Sequence, residues 1–242
     1  MTRWDDHLNQ THRMPDFQPL EYMITGRYVG EIVRLIIVEA VETAGLFNGE
    51  LPISLREPYS LDTSIVAAII ADDTAALSTS SKLLQTRHPS SVTPTVADLF
   101  FLRTVCAAVS GRAAGYLATS IHALWQLKNG AEAASPDVDS LAEEVQMEAC
   151  TPTTTDDTTP SPPPKITIAC EGSVINKFPG FRDSCQRYIS EIIAYECATL
   201  REELLDDDSV LEDTVILAPA REGAIFGAAV AVACLEEDAH SE

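Results

Sequence analysis

A carboxamide and a carboxylate stand three residues apart at the start of the apolar segment "QPLEYMITGRYVGEIVR", as Gln18 and Glu21. Residues three apart on one helix lie on the same face, so this pair could hydrogen-bond the hydroxyl groups of a polyol together. A carboxylate at a helix start is also stabilised by the free N–H groups of the first turn and by the helix dipole. A polyol site and simple helix capping are therefore both open for this pair.

Two glycine-bearing turns could bring backbone N–H groups against an anion. In "CEGSVINKFPGF", a strand ends in Gly172-Ser173, whose small side chains let the backbone approach a ligand, and the Ser173 hydroxyl could contact a phosphate. In "REGAIFGAA", Gly223 and Gly227 follow a strand and open an apolar helix. Neither segment is a G-x-G-x-x-G or G-x-x-x-x-G-K-[ST] motif, so plain strand-to-helix turns are the alternative at both places.

The remaining residues of catalytic or metal-binding type are scattered. His122 lies in a long apolar segment with no partner at useful spacing, which predicts a packed or solvated side chain rather than a catalytic group. The cysteines form no C-x-x-C pair and no zinc-ligand spacing, which favours reduced thiols over a disulfide framework. They are Cys106, Cys150, Cys170, Cys185, Cys197 and Cys234.

Helical and strand patterns alternate in the second half of the chain, which is typical of α/β order. Apolar residues at helical spacing predict long helices, and Gly45 is a stop signal near the end of the first. Residues 1–17 are predicted to be a polar lead-in. The predicted helices are 18–47, 62–71 with Asp62 or Thr63 as N-cap, 96–128, 181–205 and one after Gly223, and the predicted strands are 166–170 and 214–218.

The charge and hydropathy of the chain exclude some kinds of partner. The 242 residues include 37 acidic and 16 basic ones, a net charge of −21, so no basic footprint exists for nucleic acid or an acidic membrane surface. No apolar run reaches the ~18 residues that a membrane-spanning helix needs. The amino-terminal segment has no apolar signal core. We therefore expect a soluble, cytoplasmic protein that binds neither nucleic acid nor membrane.

One internal segment departs from the pattern of a packed domain. Between Lys128 and Lys165 there are eight acidic residues and no basic ones, and "TPTTTDDTTPSPPP" contains only Thr, Pro, Asp and Ser. Such a composition cannot bury enough apolar surface to offset the entropy of ordering it. We predict that 129–164 is a disordered insertion and that 236–242 is an acidic tail.

In sequence order, these motifs resemble those of the hexokinase family, whose signature at the first of them reads like F-E-K-M-I-S-G-M-Y-L-G-E-I-V-R. The segments "LFNGELP", "LDTSIV", "VSGRAAGYLA", "CEGSVINKFPGF" and "EGAIFGAAVAVA" are similar to later family motifs. The resemblance runs from about residue 3 to residue 235, apart from 129–164, and "PDFQPLEYM" is similar to a divergent fungal branch. It implies an α/β fold, the C-terminal lobe of an actin-like ATPase (ribonuclease H-like) domain, mostly helical with an incomplete sheet.

The resemblance also implies roles for single residues. Gln18 and Glu21 match a glutamine and a glutamate that hydrogen-bond glucose hydroxyls. Thr63 matches a threonine that contacts ATP, and the turn at Gly172 matches one that touches the phosphates. The other implied nucleotide-binding residues are Gly26, Arg27, Ser173, Val174, Ile175, Asn176, Lys177, Gly223 and Gly227. Magnesium is expected to be held mainly through the nucleotide, and Glu31 and Arg34 are expected to form a structural pair.

Several positions depart from the family pattern. Glu171 replaces an aspartate, Ala224 a serine and Ile225 a glycine, and Ala67 stands where a second hydroxyl contacting ATP is expected. A missing hydroxyl typically costs only ~1 kcal/mol, so we expect nucleotide binding to be weakened rather than lost. The family's catalytic aspartate, phosphate-binding loops and second sugar-binding glutamate belong to an N-terminal half with no counterpart here, so no catalytic residue is assigned.

Two functions follow from the resemblance. The first is ATP-dependent phosphorylation of a hexose at its 6-hydroxyl, with this chain holding part of the sugar site and part of the nucleotide site but inactive alone. The second is an inactive hexokinase-like sugar sensor or regulator, favoured by the altered turns and the acidic insertion. Apolar surface left uncovered is expected to associate with an N-terminal half or with another protein.

Overall fold

Helices dominate the part of the chain that the computed structural model describes, which comprises residues 1–134, 165–204 and 214–220. In these ranges eight α-helices accompany two strands and two short 3₁₀ turns, Leu46–Gly49 and Ile53–Arg56. The helices are α1 Arg3–Thr11, α2 Pro19–Ile24, α3 Gly26–Ala44, α4 Thr63–Ala71, α5 Ser78–Arg87, α6 Val96–Ala134, α7 Ser173–Lys177 and α8 Phe181–Leu204, and the strands are β1 Ile166–Cys170 and β2 Val215–Pro219.

The predicted helix 18–47 is two helices, so that prediction was wrong in one respect. Thr25 is extended, with φ −86° and ψ 150°, and serves both as the C-cap of α2 and as the N-cap of α3. Gln18 precedes α2 in a left-handed conformation with φ 51°. The predicted stop at Gly45 is confirmed, since this residue ends α3 at φ 69°, a conformation that glycine adopts without strain.

The amino-terminal residues also differ from the prediction of a plain polar lead-in. Thr2 and Asp5 form a capping box that starts α1, and Leu8 is buried against the core. Asp5 is buried as well, and both of its carboxylate oxygens accept hydrogen bonds from Arg112 of α6 at 2.7 and 2.9 Å. This long-range ion pair holds α1 on α6, and it involves residues 107 positions apart.

Helix α6 continues to Ala134, six residues beyond its predicted end, and the rest of the predicted insertion, like the acidic tail, lies outside the described residues. The small residues along one side of α6 are packed over only part of its length. Ala114 and Ala118 are completely buried, and Gly111 and Gly115 lie next to Tyr188 of α8. Ala107 and Ala108, one to two turns earlier, are exposed to solvent.

The two strands are parallel, with Ile166 opposite Val215 and Cys170 opposite Pro219. Beside β2, the side-chain amide of Gln186 in α8 takes the place of a further strand. Its Nε2 donates to the Val215 carbonyl oxygen and its Oε1 accepts from the Leu217 N–H, both at 2.8 Å. The predicted α/β fold with an incomplete sheet is therefore confirmed, and one edge of that sheet is satisfied by a side chain.

The core is continuous from α1 through α3, α4, α6 and α8 to the sheet. Burial raises the pKa of the Cys106 and Cys185 thiols to about 12, so both stay protonated and pack as small apolar side chains. Side chains with less than 2% of their surface exposed define the centre of the core. They are Leu8, Val29, Ile32, Val33, Ile37, Leu55, Val66, Ile69, Leu77, Leu102, Ile189 and Val215.

Gly30 marks a close approach between α3 and the chain before α4. A Cβ atom added there would lie 2.4 Å from the carbonyl oxygen of Leu61, too close for any side chain. We expect Gly30→Ala to lower the free energy of unfolding by about 1–3 kcal/mol, because the chain before α4 would have to move. Urea unfolding followed by circular dichroism measures this.

Gly111→Ala in α6 is the matched control, since its Cβ would lie 3.8 Å from the Tyr188 hydroxyl, an ordinary contact. Alanine in a helix interior is favoured over glycine, so this variant should be as stable as the wild type or up to ~1 kcal/mol more stable. Equal effects of the two substitutions would contradict the close approach at Gly30.

Asp72 is a buried carboxylate that fixes the start of α5. It accepts hydrogen bonds from the N–H and hydroxyl groups of Thr74, at 3.1 and 2.6 Å, and of Ser80, both at 2.7 Å. Burial alone would raise the pKa of the Asp72 carboxyl, but these hydrogen bonds outweigh it and hold that pKa well below its ordinary value.

Because the folded pKa of Asp72 is lowered, its stabilisation is complete above the unfolded value of about 3.9 and is lost as the pH falls below it. We expect Asp72→Asn to cost roughly 1–3 kcal/mol at pH 6, with a smaller difference from the wild type at pH 3. Urea unfolding at both pH values measures it, with exposed Asp73→Asn as control. A difference that does not change with pH would count against the charged hydrogen-bonding role.

Candidate functional site

A cavity of about 500 Å³ lies where the first turns of α3, α4 and α7 meet. Three segments that are far apart in sequence form its walls, and six of the predicted nucleotide-binding residues are among them. These six are Gly26, Arg27, Thr63, Ser173, Val174 and Lys177. The other lining residues are Tyr59, Leu61, Asp62, Ser64, Ala67 and Phe178.

The contact between α3 and α4 at this cavity is made by Gly26 and Thr63. The Thr63 hydroxyl donates a hydrogen bond to the Gly26 carbonyl oxygen, and a Cβ at Gly26 would lie 3.0 Å from the Val174 side chain. Glycine at this position therefore lets three segments approach one another. Of the two predicted N-cap candidates of α4, Asp62 and Thr63, Asp62 is the N-cap, and it accepts a hydrogen bond from the Ser64 N–H at 2.7 Å.

The segment that carries Tyr59 is fixed to α3 by a buried ion pair. Arg34 donates two hydrogen bonds to Glu31, at 2.7 and 2.6 Å, and a third to the Leu55 carbonyl oxygen at 2.9 Å. Glu31 in turn accepts from the Tyr59 N–H at 2.6 Å. The predicted pairing of Glu31 and Arg34 is confirmed, and its partners 21 to 28 residues away tie the segment before α4 to α3.

The charged groups around the cavity are mostly cationic. The cavity is lined by two cations, Arg27 and Lys177, and by one carboxylate, Asp62. The pKa of Asp62 is lowered mainly by its hydrogen bonds with Ser64. The guanidinium of Arg27 lies 4.6 Å from the centroid of the Tyr59 ring, within range of a cation–π interaction. In a chain with a net charge of −21, this is a local reversal of sign.

The predicted sugar-binding pair, Gln18 and Glu21, lies at the opposite end of α2 from the cavity. Glu21 is exposed in the first turn, and its N–H donates to the Gln18 carbonyl oxygen at 2.9 Å. Gln18 precedes the helix in a left-handed conformation and is not part of it. The prediction that Gln18 and Glu21 lie on one helix face was therefore wrong. The Gln18 side chain makes no capping hydrogen bond at this end of α2, but Glu21 lies in the first turn, where the helix dipole favours a carboxylate.

Helix α2 is held in place by aromatic side chains around His12. The Tyr22 hydroxyl lies 2.8 Å from His12 Nδ1, and the Tyr28 hydroxyl lies 3.1 Å from His12 Nε2. The Tyr22 and Tyr28 rings also contact edge to face, with 5.0 Å between centroids. This cluster joins the lead-in, α2 and the first turn of α3, and so fixes where the sugar pair stands relative to the cavity.

The remaining predicted nucleotide-binding residues fall into two groups. Gly172, Ile175 and Asn176 belong to the α7 turn but do not line the cavity, and Asn176 instead donates to the Cys170 carbonyl oxygen at 2.9 Å. Gly172 has φ 128°, which only glycine adopts readily. Gly223 and Gly227 lie outside the described residues, as do the departures at Ala224 and Ile225.

Sequence reasoning missed Tyr59 and the partner of His122. Tyr59 stands in the irregular segment "REPYS" with no periodic pattern, and only its contacts with Glu31 and Arg27 give it a place in the site. His122 is buried and its Nε2 lies 2.9 Å from Glu196 of α8, 74 residues away. Of the two environments predicted for His122, packed or solvated, the structure shows the packed one, between two helices.

The described residues contain neither a group of metal ligands nor a membrane-spanning helix. Within 1–134, 165–204 and 214–220, no three side chains of His, Cys, Asp or Glu type are grouped so that they could hold a metal ion. In the same ranges, none of the helices combines the length and the apolar character needed to cross a membrane.

The whole architecture is similar to solved hexokinase structures. A hexokinase from Schistosoma mansoni complexed with glucose superimposes with a TM-score of 0.64 over 90% of this chain and 38% of that one, at 21% identity. A second hexokinase crystal structure gives a TM-score of 0.62 over 92% of this chain and 38% of that one, at 22% identity. The fold is therefore that of part of an actin-like hexokinase domain, its C-terminal lobe.

Sequence comparison gives the same family. The hexokinase family profile matches residues 1–234. Hexokinase-1 of Schizosaccharomyces pombe is 25% identical over 97% of this chain and 38% of its own length, and Hexokinase-1 of Saccharomyces cerevisiae is 25% identical over 98% and 39%. The chain belongs to the hexokinase family, and it spans about two fifths of the length of these curated relatives.

Removing the charge of Glu31 should loosen the wall of the cavity that carries Tyr59. Both members of the pair are about 95% buried, so Glu31→Gln would leave Arg34 without a countercharge. We expect a loss of roughly 3–5 kcal/mol in the free energy of unfolding. Urea unfolding measures this, with Glu42→Gln, an exposed position on the same helix, as control. A loss below ~1 kcal/mol would mean that the pair is not needed to hold α3 and the following segment together.

Proposed function

We propose that this chain supplies the nucleotide-binding side, and part of the sugar-binding side, of an ATP-dependent hexose kinase that phosphorylates the 6-hydroxyl. The observation that carries the proposal is the cavity formed by Gly26, Thr63 and Ser173 with their neighbours. Three motifs that resemble nucleotide-contacting family motifs are separated by up to about 150 residues in sequence, yet they line one space. Its volume of about 500 Å³ is in the range of small-molecule sites.

The chemistry of the cavity walls suits a nucleotide. Lys177 and Arg27 offer positive charge for phosphate groups, while Phe178 and Leu61 offer apolar surface for a base. Helix α4 also begins at this cavity, and its first turn has the positive end of a helix dipole. Magnesium, in this proposal, is bound mainly through the phosphate oxygens of ATP rather than by side chains of this chain.

The sugar side of the proposal rests on Gln18 and Glu21. Both are exposed at the start of α2, where the amide of Gln18 can donate and accept hydrogen bonds and the carboxylate of Glu21 can accept them from sugar hydroxyls. Gln18 and Glu21 stand at the start of α2, and Gly26 at the cavity lies just beyond its end; the six residues of α2 span about 9 Å at 1.5 Å per residue. A hexose and a nucleotide could therefore be bound at opposite ends of one short helix.

Transfer of the phosphoryl group needs groups that have not been assigned in this chain. In phosphoryl transfer the protein positions the reactants and stabilises charge, and a base within hydrogen-bond reach accepts the proton of the attacking hydroxyl. In this proposal, the base that accepts this proton therefore belongs to a part of the kinase other than the described residues. The second candidate, a sugar sensor or regulator without catalysis, is supported by Ala67, an apolar residue in the cavity wall where a hydroxyl contacting ATP is expected.

Calorimetric titration of the chain with ATP and with glucose, next to a coupled phosphorylation assay, tests the proposal. We expect ATP binding that is weakened on the order of tenfold by Lys177→Ala, because a charge-assisted contact to phosphate is lost. Lys82→Ala, which removes an exposed charge from α5, should leave ATP binding unchanged. Glucose binding should be lost in Glu21→Ala.

The outcomes separate the candidates. Binding of both ligands without turnover by this chain, and turnover once an N-terminal hexokinase half is supplied, would support the kinase. Glucose binding without any turnover in that combination would favour the sensor. Absence of ATP binding, or equal binding by the Lys177→Ala variant, would overturn the assignment of the cavity to a nucleotide.

A further inference from the structure

The backbone at Tyr59 is held in a conformation that a large side chain rarely adopts. Its φ is 60°, in the left-handed region, where a bulky residue is strained. The Tyr59 N–H donates to Glu31 at 2.6 Å, and Glu31 is itself held by two hydrogen bonds from Arg34. The buried ion pair therefore determines where the Tyr59 ring lies, and that position is in the wall of the cavity.

The Tyr59 ring stacks against the guanidinium of Arg27. The guanidinium of Arg27 lies over the ring, 4.6 Å from its centroid, and Tyr28 contacts the same ring edge to face at 6.1 Å between centroids. Arg27 itself is exposed, so without the ring its long side chain would be free to take many rotamers. Stacking on an aromatic face restricts the guanidinium and leaves its N–H groups free to donate in the plane.

Arg27 stands at the cavity together with a second cation. Arg27 is in the first turn of α3, next to Gly26, whose carbonyl oxygen accepts a hydrogen bond from the Thr63 hydroxyl. Lys177 contributes a second positive charge to the same cavity, and Asp62 is the one carboxylate among its described lining residues. A planar guanidinium binds two oxygens of a phosphate at once, which an ammonium group does not do.

We propose that Arg27, held by Tyr59, is the residue that makes the cavity prefer ligands with a polyphosphate chain over those with one phosphate. The inference deepens the proposed nucleotide site and rests on it for the identity of the ligand. Arg27 is the specificity-determining residue, because it contacts the phosphate oxygens. Tyr59 is a positioning residue, because it acts through the guanidinium.

Titration calorimetry of the full chain with ATP, AMP and inorganic tripolyphosphate tests the inference. For the wild type we expect ATP to bind more tightly than AMP. In Arg27→Met, which keeps the length of the side chain and removes its charge, that preference should fall on the order of tenfold, through weaker ATP binding. Lys82→Met, the same change on an exposed lysine of α5, should leave the preference unchanged.

Two variants of Tyr59 test the positioning role. Tyr59→Leu removes the ring and should lower the preference for ATP over AMP in the same direction as Arg27→Met. Tyr59→Phe retains a stacking face and should keep the wild-type preference for ATP over AMP, because the cation–π contact does not depend on the hydroxyl. A purely structural effect of Tyr59 would weaken ATP and AMP by the same factor, and this result would overturn the inference.

The remaining outcomes distinguish the two proposals. If the wild type prefers ATP and Arg27→Met keeps that preference, the inference is wrong while the nucleotide site stands. If ATP and AMP both fail to bind but tripolyphosphate binds in a manner that depends on Arg27, the nucleotide proposal fails and the polyphosphate preference stands. If none of the three probes binds, both proposals are overturned.

Discussion

The buried ion pair of Glu31 and Arg34 is the interaction on which the rest of the site depends. Two charges removed from water destabilise a fold unless every hydrogen-bonding group is satisfied. Here Arg34 also donates a hydrogen bond to the Leu55 carbonyl oxygen, and Glu31 also accepts one from the Tyr59 N–H. A pair within a single helix thus fixes a segment of irregular structure, and this segment leads directly into α4 at the cavity.

Close approach of backbone segments is the second constraint on the site. Gly30 allows the Leu61 carbonyl oxygen to lie against α3, and Gly26 allows Thr63 and Val174 to lie against the start of the same helix. Side chains at these two positions would push α4 and α7 away and open the cavity. The two glycines and the ion pair therefore determine jointly that three distant segments meet at one place.

The elements far from the cavity stabilise the same arrangement by different means. Asp5 and Arg112 join the amino-terminal helix to α6, and His122 and Glu196 join α6 to α8. Gln186 completes the hydrogen bonding along one edge of the sheet, where its amide replaces a strand. These contacts are polar, specific and long-range, so they determine how the helices are oriented once apolar burial has brought them together.

The sequence by itself determined the type and approximate bounds of α3, α4, α6 and α8, because long apolar periodicity is a local property. It also determined the family and six of the residues that line the cavity, because motifs in a fixed order are readable without coordinates. Only the tertiary structure decided the break at Thr25, the left-handed Gln18, the helix at the amino terminus and the place of Tyr59. Each of these depends on a partner far away in sequence or on a single backbone torsion, and neither leaves a periodic pattern.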